Sequence, residues 1–108
     1  MQHNEGLFSG SEDLQLFFQN WLPRGDARAV VIIVHGFSDH CGRYENLVEG
    51  LVKRRLALYS YDLRGHGRSP GQQGYVEHFD DYRQDTRTFV NFVSKSHPDL
   101  PIFLPIKD

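Results

Sequence analysis

Ala29-Val30-Val31-Ile32-Ile33-Val34-His35-Gly36-Phe37 decides the fold. From Ala29 to Val34 the run is apolar without interruption and β-branched after its first residue, so both faces of the strand it forms must be covered. That is the pattern of a central strand in a sheet with helices on each side. Gly36, two residues past Val34, lets the backbone turn sharply, with no Cβ in the way. Working outward, Tyr44, Leu47, Val48, Leu51 and Val52 recur at helical spacing and predict an amphipathic helix. Leu56-Ala57-Leu58-Tyr59-Ser60-Tyr61 predicts the next strand, and a glycine-rich loop runs from Arg64 to about Tyr75. Phe79, Tyr82, Thr86, Phe89, Val90 and Val93 predict a second helix, stopped near His97-Pro98. Leu100 to Leu104 predicts the last strand. Upstream, Glu5 to Phe8 and Asp13 to Trp21 flank a Ser9-Gly10-Ser11-Glu12 turn and predict an antiparallel hairpin, followed by a turn at Pro23-Arg24-Gly25-Asp26. Strands alternating with helices imply right-handed crossovers and a parallel sheet. The expectation is an α/β fold in one unit covering residues 1–108.

The bulk properties narrow the function. At 108 residues the chain is one modest domain at most, and 39% apolar with 24% charged residues is ordinary globular composition. The net charge of −2, with no strongly basic face, argues against a nucleic-acid partner. The lone Cys41 cannot form an internal disulfide and fits a reducing compartment. The first residues, Met1 to Gly6, have neither the basic nor the apolar region of a signal peptide, and no apolar run is long enough to span a bilayer. A cytoplasmic location is the expectation.

Sites in open α/β sheets lie beyond the carboxyl ends of the strands. There, an amide on Phe37, presented by the turn at Gly36, could stabilise the negative oxygen of a tetrahedral intermediate. On His35-Gly36 alone, the plainer reading is a strand that ends in a glycine turn. The longer pattern adds to this. His35-Gly36-Phe37-Ser38-Asp39-His40-Cys41-Gly42-Arg43-Tyr44 resembles the oxyanion loop of the monoacylglycerol lipase and lysophospholipase branch of the α/β-hydrolases, the serine aminopeptidase S33 type. Asp62-Leu63-Arg64-Gly65-His66-Gly67-Arg68-Ser69, with Gly71 and Gly74, resembles that branch's Asp-x-Arg-Gly-His-Gly-x-Ser segment, and Pro101-Ile102-Phe103-Leu104 resembles its fifth-strand entry. The resemblance covers residues 5 to 104. It implies a fold opening with an antiparallel hairpin and continuing in parallel strands. It also implies hydrolysis of a carboxylic ester of an acyl lipid through an acyl-serine, with no cofactor and with Gly36 and Phe37 forming half of the oxyanion hole.

Gly67-Arg68-Ser69-Pro70-Gly71 matches the G-x-S-x-G nucleophile pattern but lacks its context. A nucleophile elbow needs a strand leading in, a helix leading out, and an N–H on the following residue for the oxyanion. Here the strand ends near Asp62, and the following residue is Pro70, which has no N–H. Ser69 therefore reads as part of a structural loop. The 6 His residues show no metal spacing, so no metal is expected. His66 with Arg64 and Arg68 does not sit in a dinucleotide-binding pattern. Lys53-Arg54-Arg55 reads as the cationic end of a helix, and Asp62, Asp80, Asp81 and Asp85 as loop anchors and helix N-terminal charge.

In the resembled family the last strand runs on to Gly-x-Ser-x-Gly, where this chain has Pro105-Ile106-Lys107-Asp108. The expectation is a domain truncated before the nucleophile elbow, with no member of the Ser-Asp-His triad and no activity by itself. An apolar edge at the last strand would favour self-association or pairing with a complementary chain.

Overall fold

In the computed structural model, which describes residues 2–34, 45–64, 69–70 and 79–104, the chain opens with β1 (Gln2–Ser9), a 3-10 turn (Ser11–Asp13) and β2 (Gln15–Leu22). It continues through β3 (Ala29–Val34), α1 (Glu45–Lys53), β4 (Leu56–Tyr61), α2 (Phe79–Ser96) and β5 (Ile102–Phe103). The strands form one sheet in the order β1-β2-β4-β3-β5. The β1–β2 and β2–β4 pairs are antiparallel, whereas β3 pairs parallel with β4 and with β5. This is the expected architecture, a hairpin followed by parallel strands with crossover helices.

The unbroken apolar run of β3 is explained by what covers it. Val30 and Ile32 face the α2 side, packing in a cluster with Phe8, Phe18, Tyr61 and Phe89. Ile33 faces the α1 side with Trp21, Val48 and Leu58. Phe89 anchors the larger cluster, its ring centroid 4.7 Å from Phe8 and 4.8 Å from Tyr61. Truncating such a buried aromatic residue costs about 3–5 kcal/mol.

The hairpin departs from its expected bounds. β1 begins at Gln2 because Gln2, His3 and Asn4 pair with Leu22, Trp21 and Asn20, and the His3 ring stacks on Trp21 at 4.9 Å. The reversal falls one step later than expected, with both Glu12 (φ 58°) and Asp13 (φ 59°) in the left-handed region. Neither residue is a glycine or asparagine, so the sequence signals a turn here at Ser9-Gly10-Ser11-Glu12 but not two successive left-handed residues at its end. β2 is buried along nearly its whole length rather than on alternate residues, because helices cover both sides of it. The expected strand at 100–104 shortens to a two-residue ladder at Ile102–Phe103. β5 lies at the sheet edge, with Phe103 56% exposed.

Charge is not spread evenly over the sheet. Ladder pairing of Ala29 with Leu56 sets Arg28 beside Arg55, and the Arg28 amide donates to the Arg55 carbonyl at 2.7 Å. Two cationic segments distant in sequence thereby meet at the amino end of the parallel strands. Among the described residues, no helix is long and apolar enough to cross a membrane.

Candidate functional site

β3 and β4 run parallel, and their register from Ala29–Leu56 to Val34–Tyr61 brings both carboxyl ends to the same edge of the sheet. β3 leads there into His35-Gly36-Phe37, and β4 into Asp62-Leu63-Arg64. Gly36 and Phe37 lie outside the described residues, as do His40, Cys41 and His66. The frame that carries these loops is described in detail.

Ser69 closes one side of that frame. The antiparallel ladder of β2 and β4 extends by one bond beyond β4, from the Asp62 amide to the Phe17 carbonyl at 3.0 Å. The Ser69 hydroxyl then bridges the two strands. It accepts from the Phe17 amide at 2.9 Å and donates to the Asp62 carbonyl at 2.6 Å. The side chain is buried, and its proton points to a backbone oxygen rather than to a base. This hydroxyl does the work of a ladder group, satisfying a donor and an acceptor that the diverging strands no longer offer each other.

Arg64 and Asp85 close the other side. Arg64 Nε donates to Asp85 Oδ2 at 2.7 Å and Nη2 to Oδ1 at 2.9 Å, a bidentate pair. Asp85 Oδ1 also accepts from the Ser11 amide at 2.8 Å, and Arg64 Nη2 donates to the Ser11 carbonyl at 3.2 Å. Asp81 stands 4.0 Å from the same guanidinium. The hydrogen bonds that Arg64 donates to Asp85, outweighing the opposing effect of burial, hold it above the ordinary guanidinium range. One ion pair thus ties together the exit of β4, the second turn of α2 and the β1–β2 turn. Gly10 is required beside it, because a Cβ there would lie 2.8 Å from Asp85 Oδ1 and 2.7 Å from Leu16 Cδ1. Asp85 is not helix N-terminal charge, as its position in the sequence suggests, but a fully buried ion-pair partner. The overlooked signal is its place on the apolar face of α2, one turn after Tyr82 and one turn before Phe89. A carboxylate on that face needs a buried partner.

Tyr61 adds a neutral strut, its hydroxyl 2.7 Å from Thr86 Oγ1. Burial pushes its ionisation well above the usual phenol range, so it stays protonated. At the opposite end of the sheet, the Tyr59 hydroxyl lies 2.8 Å from His97 Nε2, and burial lowers His97 below its ordinary 6.5. A helix C-terminus favours the imidazolium, but desolvation wins here. Among the described residues, no three His, Cys, Asp or Glu side chains converge in a way that could hold a metal ion.

Comparison with known proteins fits this frame. The family model described as serine aminopeptidase, S33, matches residues 25–105. The monoacylglycerol lipase of Mycolicibacterium smegmatis is 34% identical over 98 residues, covering 91% of this chain and 35% of that protein. The monoglyceride lipase of Rattus norvegicus is 36% identical over 89 residues, covering 82% of this chain and 29% of that protein. The chain therefore spans about a third of the length of the curated relatives it matches. Among solved structures, a thermostable carboxyl esterase from Bacillus coagulans superposes with a TM-score of 0.84 at 24% identity, covering 96% of this chain and 36% of that one. That likeness bears on the fold.

Proposed function

This chain belongs to the serine aminopeptidase S33 family and has the α/β-hydrolase fold, and on that premise we propose that it forms the oxyanion-loop portion of a monoglyceride-lipase-type ester hydrolase. The observation that carries the reading is the position of β3. It lies between β4 and β5, and its last described residue, Val34, stands at the carboxyl edge of the parallel strands, where the sequence continues into His35-Gly36-Phe37. The Gly36 turn would present the Phe37 amide to the developing oxyanion of an acyl-ester substrate, the class that the relatives' names indicate. The attacking serine and its acid and base would come from polypeptide outside the third of the fold that this chain covers. By itself the chain would bind no cofactor and turn over no ester. The lone Cys41 supports a reducing cytoplasm as its location.

A chimera tests the reading. Residues 5–104 of this chain replace the matching segment of the M. smegmatis enzyme, and hydrolysis of a monoacylglycerol is followed. The chimera is expected to be active, and Phe37→Pro, which removes the amide donor, to lower kcat about 100- to 1,000-fold. Unchanged turnover in Phe37→Pro refutes the oxyanion role. The chain alone is expected to take up no fluorophosphonate probe; labelling of it would refute the inactive reading.

A second reading is favoured by the edge strand. β5 pairs with β3 alone, and Phe103 and Leu104 are exposed beside it. An apolar strand edge is a template for another chain. Here the chain would be a non-catalytic partner that pairs through β5 with itself or with a complementary polypeptide. Sedimentation of the purified chain separates the two readings: a monomer at all concentrations, uncaptured by a co-expressed complementary portion of a relative, eliminates the second.

A further inference from the structure

We propose that the amino end of the parallel strands is a docking surface for an anionic lipid bilayer. The inference rests on the placement of charge and is independent of the hydrolase reading. Arg24 and Arg28 belong to the β2–β3 connection, and Lys53, Arg54 and Arg55 to the end of α1 and the turn after it. All five are exposed, and they are five of the chain's 12 Lys and Arg residues. Bonds between the two segments hold them together. The Arg28 amide donates to the Arg55 carbonyl at 2.7 Å, and the Arg55 guanidinium donates to the Asp26 carbonyl from Nε at 3.2 Å and from Nη2 at 3.1 Å. Among the described residues, none of the five is paired with a carboxylate. The negative end of the α1 dipole accounts for Lys53 in its last turn, but not for Arg24 and Arg28, which come from another element.

Among the described residues, the opposite end of the sheet carries four carboxylates, of which Asp80 lies 3.6 Å from Arg83 and Asp81 4.0 Å from Arg64. Glu12 and Asp13 in the hairpin turn and Asp80 and Asp81 in the first turn of α2 lie at the carboxyl edge. The strand between the two ends is six residues long, about 20 Å. That exceeds the screening length of about 10 Å at 0.1 M salt, so a surface touching the cationic end is largely shielded from the acidic one. A planar anionic surface would attract the cationic end. Clusters of four to eight Lys and Arg are the usual footprint of such recruitment.

A bilayer fits better than an acidic peptide. The shallow groove beside the cations is lined by Asp26 and Asp99, together with Pro23, Ala27 and Leu100. A peptide carboxylate seated in the groove would meet its own sign. A flat headgroup layer stays outside the groove and meets the long cationic side chains at its rim, with the exposed Asp26 among them.

The test is co-sedimentation of the whole chain with vesicles of phosphatidylcholine, alone or mixed with phosphatidylglycerol. Binding is expected only to the anionic vesicles and is expected to weaken with salt. Each cation removed should lower partitioning about five-fold, so Arg24→Gln/Arg28→Gln and Lys53→Gln/Arg54→Gln should each lose about 25-fold. Arg87→Gln, an exposed cation on α2 outside the cluster, should bind as the parent does. Arg55 is left intact because it holds the Asp26 carbonyl. Circular dichroism checks that each variant folds. Equal binding to neutral vesicles, binding unaffected by either double substitution, an equal loss in Arg87→Gln, or capture by soluble polyglutamate without capture by vesicles would each overturn the proposal.

Discussion

The Ser69 hydroxyl donates to the Asp62 carbonyl oxygen at 2.6 Å, and at the same time accepts the Phe17 amide at 2.9 Å. A side chain from beyond the glycine-rich loop thereby closes the gap where β2 and β4 part. In Ser69→Ala, the Phe17 N–H and the Asp62 C=O each lose a hydrogen-bond partner. The expected loss is about 1–3 kcal/mol of folding stability, read as a lower urea midpoint. Unchanged stability would show that water or a shift of the strands replaces the hydroxyl. In an active chimera the same variant should keep its fluorophosphonate labelling, because Ser69 is not the nucleophile in our reading.

The Arg64–Asp85 pair predicts a coupling. Removing Arg64 strands the fully buried Asp85 carboxylate, at a cost of about 3–5 kcal/mol, and removing Asp85 leaves the half-buried Arg64 with Asp81 at 4.0 Å. Asp85→Ala should be at least as damaging as Arg64→Ala, because it also deprives the Ser11 amide of its acceptor. The double variant should be less destabilised than the sum of the two singles, because residues in direct contact do not add. Additive losses in a double-mutant cycle would show that the two side chains act independently.

The hairpin turn predicts a gain. Glu12 and Asp13 both hold positive φ, at 58° and 59°, where asparagine and glycine are at ease. Glu12→Asn/Asp13→Gly should raise stability by about 1 kcal/mol, seen as a higher melting temperature. Ser11 keeps both of its backbone bonds to the Arg64–Asp85 pair, so the turn geometry has no reason to change. A lower melting temperature would mean that the two carboxylates contribute more than the relief of strain.

His97 predicts a pH dependence. Its pKa in the folded chain lies below the ordinary 6.5 because the ring is partly buried, with Nε2 against the Tyr59 hydroxyl. As pH falls, the unfolded chain takes up this proton first. The contribution of His97 is therefore complete above 6.5 and is lost as pH drops below that value and through the folded pKa. Urea midpoints at neutral and mildly acidic pH should diverge more for the parent than for His97→Gln. Equal slopes in the two proteins would remove His97 as the cause.

The order of strands and helices was legible in the chain because it rests on periodicity, a local property. The Ala29–Val34 run, the Leu56–Tyr61 run and the apolar spacing from Tyr82 to Val93 each specify their element without reference to the rest. Pro70 alone excluded an oxyanion donor after Ser69, since a missing N–H is a fact of covalent structure. Other features needed the folded molecule. Asp85 read as a helix charge because its partner lies 21 positions away. Ser69 could be denied a role by sequence but not assigned one, because Phe17 is 52 positions distant. The cationic end went unseen because Arg28 and Arg55 meet only through the β3–β4 ladder. Local steric and hydrophobic patterns determine which elements form. Which polar groups find each other is decided by the pairing of distant strands, a geometry that no stretch of the chain contains by itself.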